Sequence, residues 1–328
     1  MAPPKVFLTG ATGYIGGDVL YAVTQAHPDW EFSVLVRSKE KADKLASEYP
    51  NARIVEGDLD ATAVIEEEVK TADIVFHCAD CDHVASATAI AKGATHHSPQ
   101  KPLWLIHTSG TATLLLEDFR ANIWGVERAK QHDDWDGVDE LLNLPDESPH
   151  RNRAKVAIVC PPTIYGPGRG PGNQKSVQAY WLAAAVLKRK KGFLVGEGKN
   201  VWHQIHVQDM SDLYSRLGDA AASGGGKATW NDKGYYLAEN GPFVWGDIQR
   251  AVAKAAYEKK LIPSPDVEPL SDAEITKIHE FGVYVWGSNS RGWSYRGKKL
   301  LGWSPSKRSL LELIPSIVDI EAKELGLA

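Results

Sequence analysis

The sequence predicts an α/β fold built on a doubly wound parallel sheet, and three observations carry that prediction. Short apolar runs alternate with helix-patterned stretches through residues 5–107, a rhythm that places helices on both faces of a parallel sheet. A glycine-rich turn, Thr9-Gly10-Ala11-Thr12-Gly13-Tyr14-Ile15-Gly16-Gly17, separates the first apolar run from the first helical pattern. The chain has 328 residues, enough for such a sheet and a second, smaller part.

Taken in order, the strand candidates are Lys5–Thr9, Phe32–Val36, Arg53–Glu56, Ile74–Cys78 and Leu103–Thr108. The helix candidates between them are Tyr14–Ala26, Lys39–Tyr49, Ala61–Lys70 and His83–Lys92. A ligand of an open parallel sheet lies beyond the carboxyl ends of the strands. That rule singles out Gly10, Arg37, Asp58, Cys78 to Asp80, and Ser109.

Gly10, Gly13 and Gly16 form GxxGxxG, a spacing variant of the GxGxxG dinucleotide fingerprint. One glycine makes the tight turn, one lets backbone approach a pyrophosphate, and one lets helix pack on strand. The helix N-terminus then offers unpaired N–H groups and partial positive charge. Gly10, Thr12, Gly13, Tyr14, Ile15 and Gly16 are the candidate cofactor contacts here. An NAD site wants an acidic residue at the end of the second strand, but Glu31 sits at its beginning. At the correct end stand Arg37, Ser38 and Lys39, which suit a 2′-phosphate because guanidinium pairs bidentately with phosphate oxygens. The expected cofactor is NADP, ahead of NAD. After the third strand, Asp58 is placed to accept from an adenine amino group and Leu59 to pack on the ring; an Asp capping the next helix is the alternative.

Thr9 to Gly16, Glu56-Gly57-Asp58-Leu59, Phe76-His77-Cys78-Ala79 and His107-Thr108-Ser109 follow one another along the chain. In that order they resemble the extended and atypical short-chain dehydrogenase/reductase superfamily, with its NAD(P)-dependent epimerases, dehydratases and NmrA-like proteins. Pro161 to Gly168, Ile205-His206-Val207-Gln208-Asp209-Met210 and Leu300-Leu301-Gly302-Trp303-Ser304-Pro305 continue the resemblance. It implies a Rossmann domain over residues 1–165, completed by about 203–238, with a smaller substrate part in 166–202 and 239–328. It also implies that the loop from Pro161 lines the nicotinamide and the substrate mouth. Cys78 and Ala79 fall in a strand-end loop beside the cofactor.

In that superfamily a Ser or Thr after the fifth strand binds the substrate oxygen, a Tyr moves the proton, and a Lys four residues later lowers the Tyr pKa. Ser109, or its neighbour Thr108, suits the first role. The Tyr-x-x-x-Lys pair is missing from its place, since no tyrosine lies between Ser109 and the sixth strand candidate, Lys155–Cys160. Pro149-His150-Arg151-Asn152-Arg153 leads almost directly into that strand, where the resemblance implies a long helix. Ala121–His132 can form a helix, with Lys130 but no tyrosine partner. The chain's one Tyr-x-x-x-Lys, Tyr295 to Lys299, lies near the C-terminus in a segment that reads as solvated surface. Tyr165 is the substitute acid candidate, with turn packing as its alternative job. Either another group donates the proton, or the chain binds cofactor without the usual chemistry.

Composition excludes other classes. A net charge of −5 is no footprint of a nucleic-acid or anionic-membrane binder. No apolar run approaches the roughly 20 residues that span a bilayer, and cytoplasmic is the expected location. Cys78 and Cys81 form C-x-x-C, but the third cysteine, Cys160, stands alone, so no zinc pair and no metal is expected. Further helices are expected at Asn173–Lys191, Met210–Leu217 (capped by Asp209), Val244–Tyr257 and Leu310–Glu324, with a last strand at Tyr235–Ala238. The reading is an NADP-dependent oxidoreductase of a small carbonyl or alcohol substrate, its oligomeric state open. An epimerase or isomerase, or a non-catalytic NmrA-like sensor, is the alternative.

Overall fold

The computed structural model describes residues 2–142 and 153–328. The first half alternates β1 (Lys5–Thr9), α1 (Tyr14–Ala26), β2 (Glu31–Val36), α2 (Lys39–Glu48), β3 (Arg53–Glu56), α3 (Thr62–Thr71), β4 (Ile74–His77), α4 (Val84–Ala94) and β5 (Leu103–Thr108). After a 3-10 turn at Thr111–Leu115 come the short α5 (Leu116–Ala121), β6 (His132–Asp133) and α6 (Val138–Leu141). The chain continues through β7 (Ala154–Cys160), β8 (Thr163–Tyr165), α7 (Gln178–Arg189), β9 (Gly192–Val195), β10 (Val201–His206), α8 (Val207–Ala222) and β11 (Tyr235–Leu237). It closes with β12 (Pro242–Val244), α9 (Trp245–Glu258), β13 (Val267–Leu270), α10 (Asp272–Ile278), α11 (Gly282–Gly287), β14 (Gly292–Trp293), α12 (Arg296–Leu301) and α13 (Leu310–Glu324).

Seven parallel strands form one sheet in the order β11-β7-β5-β4-β1-β2-β3. The strand period of two sorts its core. Val6 and Leu8 of β1 pack with α1, α2 and α8, through Val19, Leu20, Leu45, Leu213 and Leu217. Phe7 between them joins Leu35 and Val75 against Ile65 and Val69 of α3 and Ile90 of α4. The sheet is therefore doubly wound. A separate apolar core gathers α7, α9 and α13 around Phe193, Trp245 and Trp286. The small sheets β12-β10-β8 and β13-β9 lie in the same half of the sequence. Trp245, Trp286 and Trp303 are fully buried, so packing accounts for these tryptophans.

Three expectations are corrected. Ala121–His132 is no helix: Asn122 takes a left-handed φ of 50° that ends α5, and the segment runs on to the short β6. The helix expected from Asn173 begins five residues later, at Gln178. Asp209 does not cap α8; His206 is its N-cap, and Asp209 instead accepts from the backbone N–H groups of Ser306 (3.1 Å) and Lys307 (2.8 Å).

A buried carboxylate ties three elements together. Asp18 of α1 is fully buried and accepts from Arg169 through its backbone N (2.9 Å), Nε (2.9 Å) and Nη2 (2.7 Å). Ser211 of α8 donates to the same carboxylate at 2.6 Å. The guanidinium also lies 4.5 Å from the centre of the Tyr21 ring. Removing one partner of such a pair leaves the other donors unmet. Asp18→Ala should therefore cost about 3 kcal/mol in urea unfolding; a loss under about 1 kcal/mol would mean that the clamp is unimportant.

Candidate active site

The carboxyl ends of β1, β2, β3, β4, β5 and β7 bring the candidate residues to one edge of the sheet. At its centre Gly10 has a φ of +82°, and a Cβ there would lie 2.6 Å from the Cys78 carbonyl carbon and 2.7 Å from the Ala79 nitrogen. A Cβ on Gly16 would lie 2.3 Å from the Gly10 oxygen. No side chain fits at either place. Gly13 is the N-cap of α1 and contributes no side-chain cap, so the first-turn N–H groups stay available to an anion. These residues fit a pyrophosphate: a cradle that a Cβ would fill, with backbone donors at its floor.

The loop after β8 lies directly on this turn, a contact that sequence reasoning missed. The Tyr14 hydroxyl donates to the Gly166 carbonyl (2.5 Å), and Asn173 N donates to the Thr12 carbonyl (3.1 Å). A Cβ on Gly172 would sit 2.1 Å from the Thr12 oxygen, and one on Gly170 2.5 Å from the Gly17 Cα. The signal was present in the glycines at every second position from Gly166 to Gly172.

Arg37 follows β2 at the same edge; it is exposed and makes no ion pair among the described residues. Glu31 pairs in register with Lys5 at the opposite end of the sheet. Ser38 caps α2, accepting from Lys41 N at 3.4 Å. Asp58 Oδ1 accepts from Asp60 N (3.0 Å) and Ala61 N (3.1 Å), closing the turn into α3, and Leu59 packs against the core around Leu35 and Val55. The Cys78 and Cys160 thiols are pushed up to about 12 by burial, so neither is a ready nucleophile.

Ser109 is half-buried, its N–H held by the Val159 carbonyl (2.8 Å). Thr108 is buried, its hydroxyl bonded to that of Tyr214 (2.7 Å). Pro161 accepts from Thr111 N at 3.2 Å beside them. Tyr165 is placed for packing: it is fully buried, and its hydroxyl donates to the Arg308 carbonyl (2.9 Å). Burial raises its phenol well above the ordinary tyrosine value. Tyr295 is exposed, and the Lys299 ammonium sits 4.3 Å from the centre of the Trp135 ring, so this pair lies on the surface. Of the segment leading into β7, Pro149 to Asn152 fall outside the described residues.

A polar cluster that sequence reasoning did not assemble stands just past β11. Glu239 is 1% exposed, and its carboxylate accepts from His203 Nδ1 (3.0 Å), Lys298 Nζ (2.8 Å), Ser294 N (2.9 Å) and Gly241 N (2.7 Å). Burial opposes its charge, but the His203, Lys298 and Ser294 donors outweigh it and lower the carboxyl to about 2. His203 Nε2 is buried and has no hydrogen-bond partner among the described residues. These three residues come from β10, the end of β11 and α12, so no local pattern joins them.

Residues 4–100 match the NmrA-like family, and residues 148–231 match the NAD dependent epimerase/dehydratase family. A protein of Acremonium sp described as oxidase ucsJ is 34% identical over an alignment of 345 residues, covering 99% of each chain. The chain belongs to the extended short-chain dehydrogenase/reductase superfamily. Two solved structures share the fold of this superfamily member along its whole length. UDP-glucose 4-epimerase from Thermotoga maritima is 16% identical with a TM-score of 0.61, over 98% of this chain and 99% of that one. Yeast methylglyoxal/isovaleraldehyde reductase Gre2, solved with NADPH, is 17% identical with a TM-score of 0.56, over 98% and 99%. Among the described residues no helix is long and apolar enough to cross a membrane.

Two tests follow from this geometry. Gly16→Val should abolish nucleotide binding and lower the melting temperature, because the new Cβ meets backbone rather than a movable side chain; wild-type binding in this variant would contradict the cradle. Glu239 has its folded pKa depressed from 4.5 to about 2. Its stabilisation is therefore complete above about pH 4.5 and is lost as pH falls toward 2. In urea unfolding, Glu239→Gln should be less stable than wild type at pH 6, and the difference should shrink by pH 3. A constant difference would show that the carboxylate is not the source.

Proposed function

We propose that the chain is an NADP-dependent oxidoreductase acting on a small carbonyl or alcohol. The observation that carries the cofactor choice is Arg37: an exposed guanidinium without an ion-pair partner among the described residues, at the carboxyl end of β2. The pyrophosphate is assigned to the turn Gly10 to Gly16, with the first-turn N–H groups of Tyr14, Ile15 and Gly16 as donors. The 2′-phosphate goes to Arg37, and the adenine to Asp58 and Leu59. Cys78, Ala79 and Pro161 border the remainder of the dinucleotide. Ser109 orients the substrate oxygen, and residues 166–202 and 239–328 supply the substrate walls. When bound, the nicotinamide supplies hydride chemistry; the protein holds it, excludes water and manages the proton.

Two features of the family matches favour rival readings. The match of residues 148–231 to epimerases and dehydratases favours an isomerase that oxidises and re-reduces one substrate. The NmrA-like match, with the absent Tyr-x-x-x-Lys pair, favours a sensor that binds nucleotide without turnover. Net consumption of free NADPH with a carbonyl panel separates the first reading from both.

The direct test is titration with NADPH and NADH, following tryptophan emission and energy transfer to the nicotinamide. NADPH should bind at least about tenfold more tightly. Arg37→Ala should remove most of that preference, since one charge-assisted phosphate contact is worth about 1.5–3 kcal/mol. Equal affinity for both nucleotides in the wild type would overturn the NADP assignment.

A further inference from the structure

The proton donor is the gap in this reading, and one buried group outside the expected positions answers it. His203 sits on β10, and its backbone N–H donates to the Ser290 carbonyl at 3.0 Å. The Ser290 hydroxyl in turn reaches the Thr111 carbonyl at 3.4 Å, and Thr111 N donates to the Pro161 carbonyl at 3.2 Å. His203 is thus linked through one residue to the segment that leaves β5 two positions after Ser109, and to the exit of β7. On its other side, Glu239 follows the strand end of β11, where Ala238 N donates to the Cys160 carbonyl (3.1 Å). The backbone of His203 is therefore tied to the segments that follow β5 and β7, and its ring to Glu239, which follows β11.

Its protonation geometry is set by its neighbours. Glu239 takes the Nδ1 proton at 3.0 Å, and the Trp293 ring packs edge-to-face on the imidazole at 4.6 Å. Nε2, at the other nitrogen position of the ring, is buried and has no hydrogen-bond partner among the described residues. A buried polar atom without a partner calls for an explanation, and a catalytic role is one of those open to it. Lys298, 37% exposed, balances the Glu239 charge and carries the cluster toward solvent. A carboxylate that orients an imidazole and leaves its second nitrogen without a protein partner is a general acid–base arrangement.

We propose that His203 is the catalytic proton donor of this site, acting through Nε2 on a substrate oxygen, with Glu239 as the positioning residue that holds its ring. The proposal rests on the oxidoreductase reading above. In the reducing direction a hydride with its electron pair adds to the carbonyl carbon. The C–O π pair moves to oxygen, and the oxygen takes the Nε2 proton. The reductant is a reduced nicotinamide dinucleotide, which leaves oxidised. The ring keeps its Nδ1 proton against Glu239 and regains the other from water.

The test uses the full chain with His203→Gln, His203→Asn and Glu239→Gln, each checked for fold by circular dichroism. NADPH affinity should stay within threefold of wild type in both His203 variants. Their kcat on a carbonyl turned over by the wild type should fall at least a hundredfold, and the pH dependence of kcat should disappear. Glu239→Gln should shift that pH profile, which a merely structural role would leave in place. Unchanged kcat and pH profile in both His203 variants overturn the proposal and leave the oxidoreductase reading standing. A second readout needs no turnover: histidine-ring 15N spectra of the NADP+-loaded protein before and after 2,2,2-trifluoroethanol. A shift of His203 Nε2, absent in His203→Gln, supports the assignment. No shift in a protein that binds NADP+ overturns it. If no nicotinamide nucleotide binds, both the reading and the proposal fall.

Discussion

The contact on which the site depends is one of backbone against backbone. Gly10 lies against the peptide joining Cys78 to Ala79, and Gly16 lies against the Gly10 carbonyl. Each approach is closer than any Cβ permits, so the central strands β1 and β4 and the start of α1 meet without side chains between them. The same absence of side chains lets Gly170 and Gly172 settle on Gly17 and Thr12. The glycine turn and its covering loop are thus consequences of one packing rule. Where backbone meets backbone, the N–H groups of the helix terminus remain open to an anion.

Polar ties join elements that lie far apart in the sequence. Asp18 joins α1 to Arg169 in the loop after β8 and to Ser211 in α8. Glu239 joins the end of β11 to β10 through His203 and to α12 through Lys298. Neither carboxylate is on the surface, and each has four hydrogen-bond donors. Buried charges persist only where they are satisfied in this way, which fixes the relative position of the elements they join.

How much was legible follows the range of the interactions. β1, α1, β3, β5 and α13 lie at the residues where periodicity put them, because the hydrophobic pattern and the flanking turn residues are local signals. Ala121–His132 misled because helix-compatible composition there is overruled by the left-handed turn at Asn122 and by pairing of β6 with β14. Asp209 misled because a carboxylate near a helix start suits capping, while its partners, Ser306 and Lys307, lie about a hundred positions away.

The glycine turn, Arg37 and the strand-end positions were determined by sequence alone, since each depends on residue type at a fixed offset from a strand. So was the absence of a Tyr-x-x-x-Lys pair after the fifth strand. Only the tertiary structure decided that Tyr165 is sealed at the end of β8 and that Tyr295 and Lys299 lie on the surface. It alone brought His203, Glu239 and Lys298 together. Those three sit in separate elements whose sequence shows no shared period, and burial and hydrogen bonding across the fold are what make them one cluster.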